Sequence, residues 1–157
     1  AEHSWRIALM AFWMKDEFPD VDIDKVIRMC LIHDLGECFI GDIPTFAKTD
    51  ADEAREEAEL MAWVRSLPEP VSGEMEALYR EMIALETPEA KLYKAMDKLE
   101  AIVQHNESDI ATWEPHEYQL NMTYADDAVA WSPVLRELRE AIRNDTKAKI
   151  AAAEQQA

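Results

Sequence analysis

Three glycines and two cysteines are all that 157 residues contain of either type, basic residues number 16 against 33 acidic ones, and no long apolar run occurs. So few glycines leave no material for a Gly-rich phosphate loop. Alanine, leucine, methionine, glutamate and lysine fill the chain instead, a composition that selects helices over sheets. Cys30 and Cys38 do not make a disulfide framework. Read on one expected helix, they lie about 12 Å apart along its axis. That is beyond the reach of a bridge, and a reducing cytoplasm is the expected location. No segment is long and apolar enough to span a membrane, and no secretory signal opens the chain, so no membrane partner is expected. The net charge of −17 repels a nucleic-acid backbone, which removes nucleic acid as an expected partner. A small anionic ligand would need a local metal or basic group to bind against that field; the acidity also suits plain solubility.

A single domain of this length buries a real core. It is expected over residues 1–150, with 151–157 a frayed tail whose only apolar periodicity is alanine. The chain opens Ala1-Glu2-His3 without Met and already inside an expected helix, so upstream sequence is expected to be missing from this numbering. That helix covers Glu2 to Glu17 and ends at Pro19; its middle, Ile7 to Met14, is apolar on all sides, as in a helix enclosed by others. Asp22 or Asp24 caps a second helix. It carries Val26, Ile27, Met29, Cys30, Leu31 and Ile32 and runs to a stop at Gly41, before Asp42-Ile43-Pro44. An amphipathic helix spans Asp50 to Ser66 and is broken by Pro68 and Pro70. Ser72 starts another, reaching about Leu85. Thr87-Pro88 and Ser132-Pro133 are both N-cap-then-proline signals. The first opens a helix to about Asn106 with Leu92, Tyr93, Met96, Leu99, Ile102 and Val103 at helical spacing; the second opens the last helix. Between them the aromatic stretch Trp113 to Tyr124 is expected to pack. The fold class is all-α, a compact bundle of about six or more helices.

Against this background Leu31-Ile32-His33-Asp34-Leu35-Gly36-Glu37 stands out. A histidine and an aspartate interrupt an apolar helical stretch, and burying a charge is costly unless it is paired or bound to metal. On a helix, His33 and Asp34 converge on one edge, and Glu37 shares their face. Imidazole with carboxylate suits manganese, iron, cobalt, nickel or zinc. Further ligands must come from other helices, and His3 and Asp97 are the candidates. His3 opens the first helix; Asp97 is a charge among the inward-packing Met96 and Leu99. Such a set leaves positions open for water and substrate, as a catalytic site requires. The plainer alternatives are a satisfied histidine at His3 and a helix-surface pairing of Asp97 with Lys94 or Lys98. His105 and His116 read as peripheral, and both cysteines read as packing residues.

Taken together, Glu2-His3-Ser4, His33-Asp34-Leu35-Gly36-Glu37 with Gly41-Asp42-Ile43-Pro44, and Glu89-Ala90-Lys91 leading to Asp97-Lys98-Leu99-Glu100 resemble the HD-domain metal-dependent phosphohydrolases, and within them most nearly the 5′-deoxynucleotidase branch. The resemblance covers roughly His3 to His105. It implies an all-α HD-domain bundle, often a homodimer, that releases the 5′-phosphate from (deoxy)nucleoside monophosphates with a divalent metal, magnesium included. Residue by residue, it implies His3, His33, Asp34 and Asp97 as metal ligands. It implies Glu37 as the group acting on the attacking water, and Asp42 as the second acid, assisting the leaving 5′-oxygen. The alternatives are a phosphodiesterase or pyrophosphohydrolase acting on another nucleotide, and a non-catalytic helical HD module used for binding. Guanosine-tetraphosphate hydrolases of the same superfamily carry an acidic pair where this chain has Glu37-Cys38, which weakens the first of these.

Overall fold

The structure is a computed structural model that describes residues 1–41 and 49–155. The described residues form helices and turns, with no strand among them. In chain order the helices are α1 (Glu2–Trp13), α2 (Ile23–Ile32), α3 (Glu37–Ile40), α4 (Asp50–Ser66), α5 (Val71–Ala84), α6 (Pro88–Glu107), α7 (Glu117–Thr123), α8 (Asp126–Val129) and α9 (Pro133–Glu154). Tight 3-10 turns cover Lys15–Glu17, His33–Gly36 and Ile110–Thr112.

Local chemistry sets most of the helix starts. Asp22, rather than Asp24, caps α2 by accepting from the Lys25 amide at 3.0 Å. Thr87 caps α6 and Ser132 caps α9, each followed by proline at the first helical position, where no amide hydrogen is needed. At α4, Thr49 and Asp52 satisfy each other's backbone amides in a capping box.

α6 is the axis of the bundle and packs against α1, α2, α5, α8 and α9. Leu92, Met96, Leu99 and Ile102 recur on its inner face and are fully buried, together with Ile7 of α1, Val26 and Met29 of α2 and Leu135 of α9. Each such side chain contributes about 1.5–3 kcal/mol of burial. The core therefore grips three elements that matter below: the start of α1, the end of α2 and the middle of α6. The aromatic stretch packs as expected. Trp113 is buried, meets Tyr118 edge-on with centroids 5.4 Å apart, and donates its indole N–H to the His105 carbonyl at 3.1 Å.

Several boundaries differ from the sequence expectations. α1 ends at Trp13, and a separate 3-10 turn covers Lys15–Glu17. The expected continuous helix through His33 breaks at Ile32 into the 3-10 turn His33–Gly36 before α3 resumes. Cys30 and Cys38 therefore lie on separate helices, α2 and α3. Cys30 is buried, but Cys38 is exposed and is not a packing residue. At the other end, α9 runs through Glu154.

Candidate metal centre

Three elements meet at the site: α1 brings His3, the turn after α2 brings His33 and Asp34, and the middle of α6 brings Asp97. One donor atom from each of His3, His33 and Asp34 lies within 4.8 Å of the others. Asp97 joins through the imidazoles, with its Oδ1 3.1 Å from His3 Nε2 and 3.5 Å from His33 Nε2. The two imidazole rings meet edge-on, centroids 5.2 Å apart.

Three of these four ligand candidates, His33, His3 and Asp97, are held from behind. His33 Nδ1 donates to the Cys30 carbonyl at 2.8 Å, an interaction that puts the proton on Nδ1 and turns Nε2 inward. That Nε2 is buried and lies 2.7 Å from Asp34 Oδ1, but out of line, so it has no hydrogen-bond partner among the described residues. His3 Nδ1 is bonded to Oε2 of Glu100. Glu100 is fully buried, pairs with Arg6 Nε at 2.6 Å and accepts from the Gln104 amide at 2.9 Å. Arg6 in turn reaches Glu107 at 2.6 Å. On the other flank, Lys94 Nζ donates to Asp97 Oδ2 at 2.7 Å, leaving Oδ1 for the cluster.

The electrostatics are those of a cation site. Burial alone would lower the His3 pKa, but Asp97 and Glu100 outweigh it and push it up to about 10. Burial likewise opposes the charge on His33, and Asp34 and Asp97 carry its pKa up to about 9. Burial would raise the Asp97 carboxyl, yet His3, His33 and Lys94 hold it well below the usual carboxylate range. Imidazole protons balance the carboxylates here, and a divalent cation among the same atoms would balance them with two charges. The inward, unbonded Nε2 of His33 beside Asp34 is the observation that fits such an ion, and the nitrogen-and-oxygen donor set suits a borderline transition metal.

Beside His33 opens a cavity of about 280 Å³ whose walls include Glu53, Glu56 and Glu57 of α4, Tyr79 of α5, and Tyr93 and Lys94 of α6. Two contacts fix the turn at its edge. The Tyr79 hydroxyl donates to the Ile32 carbonyl at 2.5 Å. Gly36 lets α4 come close: a Cβ there would lie 2.7 Å from Glu56 Oε1.

Of the residues expected from sequence, His3, His33 and Asp34 come together, and Asp97 adjoins them. Glu37 opens α3, half-buried, three residues after Asp34, and is not one of that set. Asp42 lies outside the described residues. Lys94 is indeed the helical partner of Asp97, whereas Lys98 pairs with Asp127. His105 is remote from the cluster, its Nδ1 bonded to Asn121 at 3.1 Å. Sequence reasoning missed Glu100. The signal available was a charge three residues after Asp97, on the same helical face.

The family model for the HD domain matches residues 1–139. Among curated relatives, the 5′-deoxynucleotidase HDDC2 of Bos taurus is 34% identical over 109 residues, 68% of this chain and 52% of the relative. That of Homo sapiens is 31% identical over 121 residues, 76% of this chain and 58% of the relative. The chain thus spans a little over half the length of these relatives. Among solved structures, one from Magnetospirillum magnetotacticum, described as a predicted metal-dependent phosphohydrolase, superposes with a TM-score of 0.76 at 31% identity, over 95% of this chain and 77% of the other. The PH0347 protein of Pyrococcus horikoshii superposes with a TM-score of 0.71 at 25% identity, over 91% and 81% of the two chains. The cluster around His33-Asp34, the all-helical bundle that carries it and these likenesses agree: the chain belongs to the HD domain family.

Proposed function

We propose that this protein is a divalent-metal-dependent phosphomonoesterase that releases the 5′-phosphate from (deoxy)nucleoside monophosphates. The observation that carries the proposal is the inward Nε2 of His33, locked by the Cys30 carbonyl and left without a hydrogen bond among His3, Asp34 and Asp97. The curated relatives named 5′-deoxynucleotidase support the choice of substrate.

In this reading His3, His33, Asp34 and Asp97 hold the metal. A divalent ion held there would supply Lewis acidity and a more acidic water at the site. Glu37 takes the proton from the attacking water, and Asp42 assists departure of the 5′-oxygen. Lys94 keeps Asp97 turned so that one carboxylate oxygen serves the cluster. Glu100 and Arg6 brace His3 from outside. The reading extends to a homodimer in the cytoplasm. It is supported by the exposed Trp5, Phe12 and Trp13 on α1, which are 65%, 51% and 69% accessible, and by two unbridged cysteines.

The test is phosphate release from a panel of deoxy- and ribonucleoside monophosphates with added manganese, cobalt or magnesium, run beside Asp34→Ala and Glu37→Ala. Asp34→Ala is expected to lose metal and activity together, and Glu37→Ala to keep metal while losing activity. A protein that binds none of these metals and releases no phosphate refutes the proposal. Full activity in Glu37→Ala refutes the role of that residue. Sedimentation velocity reads the dimer directly.

A further inference from the structure

Sharing Leu85 and Lys94 with the cavity beside His33 is a second recess, a groove of about 550 Å³ between α6 and the α8–α9 junction. Its walls are mainly apolar, formed by Leu85, Trp131 and two alanines, and its rim carries Lys91, Lys94, Lys98 and Asp127. The volume is that of a small-molecule site.

The charge distribution is unusual for this chain. Only 16 of its residues are lysine or arginine, against 33 acidic ones, yet three lysines converge on this one groove. They stand one turn apart on a single face of α6, where like charges repel. Two have carboxylate partners: Lys94 is held by Asp97 at 2.7 Å and Lys98 by Asp127 at 2.9 Å. Lys91 is exposed and has no ion-pair partner among the described residues. Trp131 is 38% accessible, and its ring is braced by Phe18, with centroids 5.9 Å apart. The Leu85 side chain lines both this groove and the metal-side cavity, from a backbone turned left-handed at φ 51° where α5 ends.

We propose that this groove is a second ligand site, for a flat aromatic molecule carrying one phosphate, the chemistry of a nucleoside monophosphate. The base lies against Trp131 and Leu85, where aromatic stacking adds to simple burial. The phosphate takes Lys91, with Lys98 and Lys94 close enough to add charge, since charge-assisted hydrogen bonds are the strong ones. The choice of a nucleotide over another aromatic anion rests on the function proposed above. The groove itself rests on its own geometry.

The experiment uses 2-aminopurine riboside 5′-monophosphate as probe, because stacking on an aromatic ring quenches its fluorescence. Protein treated with a chelator is titrated with this probe and with the riboside that lacks phosphate. The expected result is saturable quenching, at least tenfold weaker for the phosphate-free riboside, and at least tenfold weaker in Lys91→Ala and in Trp131→Ala. Lys91 is exposed, so its truncation leaves folding intact even if Trp131→Ala does not. His33→Ala is expected to bind the probe as the parent does. The proposal is overturned if no saturable quenching occurs, or if Lys91→Ala and Trp131→Ala bind like the parent. It is equally overturned if His33→Ala loses binding and the groove variants keep it. Phosphate release with added metal, measured on the same proteins, tests the proposed function separately, so the two can fail independently.

Discussion

Replacing Glu100 with glutamine isolates the support behind His3. The carboxylate is fully buried and holds three partners: His3 Nδ1, Arg6 Nε at 2.6 Å and Gln104 Nε2 at 2.9 Å. Glutamine keeps the shape but removes the charge, and it turns one oxygen into an amide donor facing a cation. Outer partners of ligating histidines are typically worth 10–100-fold in metal affinity. That range corresponds to about 1.4–2.8 kcal/mol. Uncoupling a buried ion pair costs about 3–5 kcal/mol. Arg6 is 26% accessible and retains Glu107, so the stability loss should be smaller, on the order of 1–3 kcal/mol. Metal affinity would be measured by competition with a fluorescent chelator, and the His3 midpoint by proton NMR on metal-free protein. That midpoint, raised to about 10 in the parent, should fall in the variant. A raised imidazole pKa gives stability that is complete below the unfolded value of about 6.5 and lost as pH rises through the folded one. The parent without metal should therefore lose stability towards pH 10, and Glu100→Gln should lose less over the same window. Unchanged metal affinity and an unmoved His3 midpoint, with only a lower melting temperature, would reduce Glu100 to a packing residue.

Other perturbations follow from single contacts. Tyr79→Phe removes the hydroxyl that donates to the Ile32 carbonyl at 2.5 Å; it should cost about 0.5–1.5 kcal/mol in urea unfolding and loosen the turn that carries His33. Gly36→Ala drives a Cβ to 2.7 Å from Glu56 Oε1. The same Cβ meets Glu56 Cγ at 2.8 Å, so the whole glutamate side chain must shift; the expected loss is about 1–3 kcal/mol, and calorimetry would read it. Glu89 accepts from the Asp22 amide at 3.1 Å and faces Lys25 at 3.5 Å; although burial opposes ionisation, these partners depress its carboxyl. A depressed carboxyl stabilises above its unfolded pKa and stops doing so as pH falls through the folded one. Glu89→Gln should thus lose about 0.5–1 kcal/mol at neutral pH, and its unfolding curve should merge with the parent's in acid.

The residues whose surroundings are local were legible in the sequence. Thr87-Pro88 and Ser132-Pro133 carry their own start signals, and the inner face of α6 follows from 3.6-residue spacing alone. The break at Ile32 carried no such signal, since neither proline nor glycine stands at His33. The contacts at that break come from elsewhere, among them a hydroxyl from Tyr79, 47 residues away. The pairing of His33 with Asp34 was legible because charge in an apolar run demands a partner. Glu100 was not, because a glutamate on a long helix looks solvated until the depth of α1 against α6 is known. Cys38 misled for the same reason as Ile32: its exposure depends on where one helix stops and the next begins.

His3 and Asp97 touch across 94 residues of chain. A cation gripped by both would act as a removable clasp between the first helix and the sixth, closing a loop that includes most of the core. Occupancy then feeds into folding by mass action: free metal at a hundred times its dissociation constant adds about 2.7 kcal/mol to the native state. The clasp cannot close during synthesis until α6 has emerged and α1 has docked on it. Metal uptake would therefore mark the completed bundle, and chelation would be felt first where α1 leaves the core.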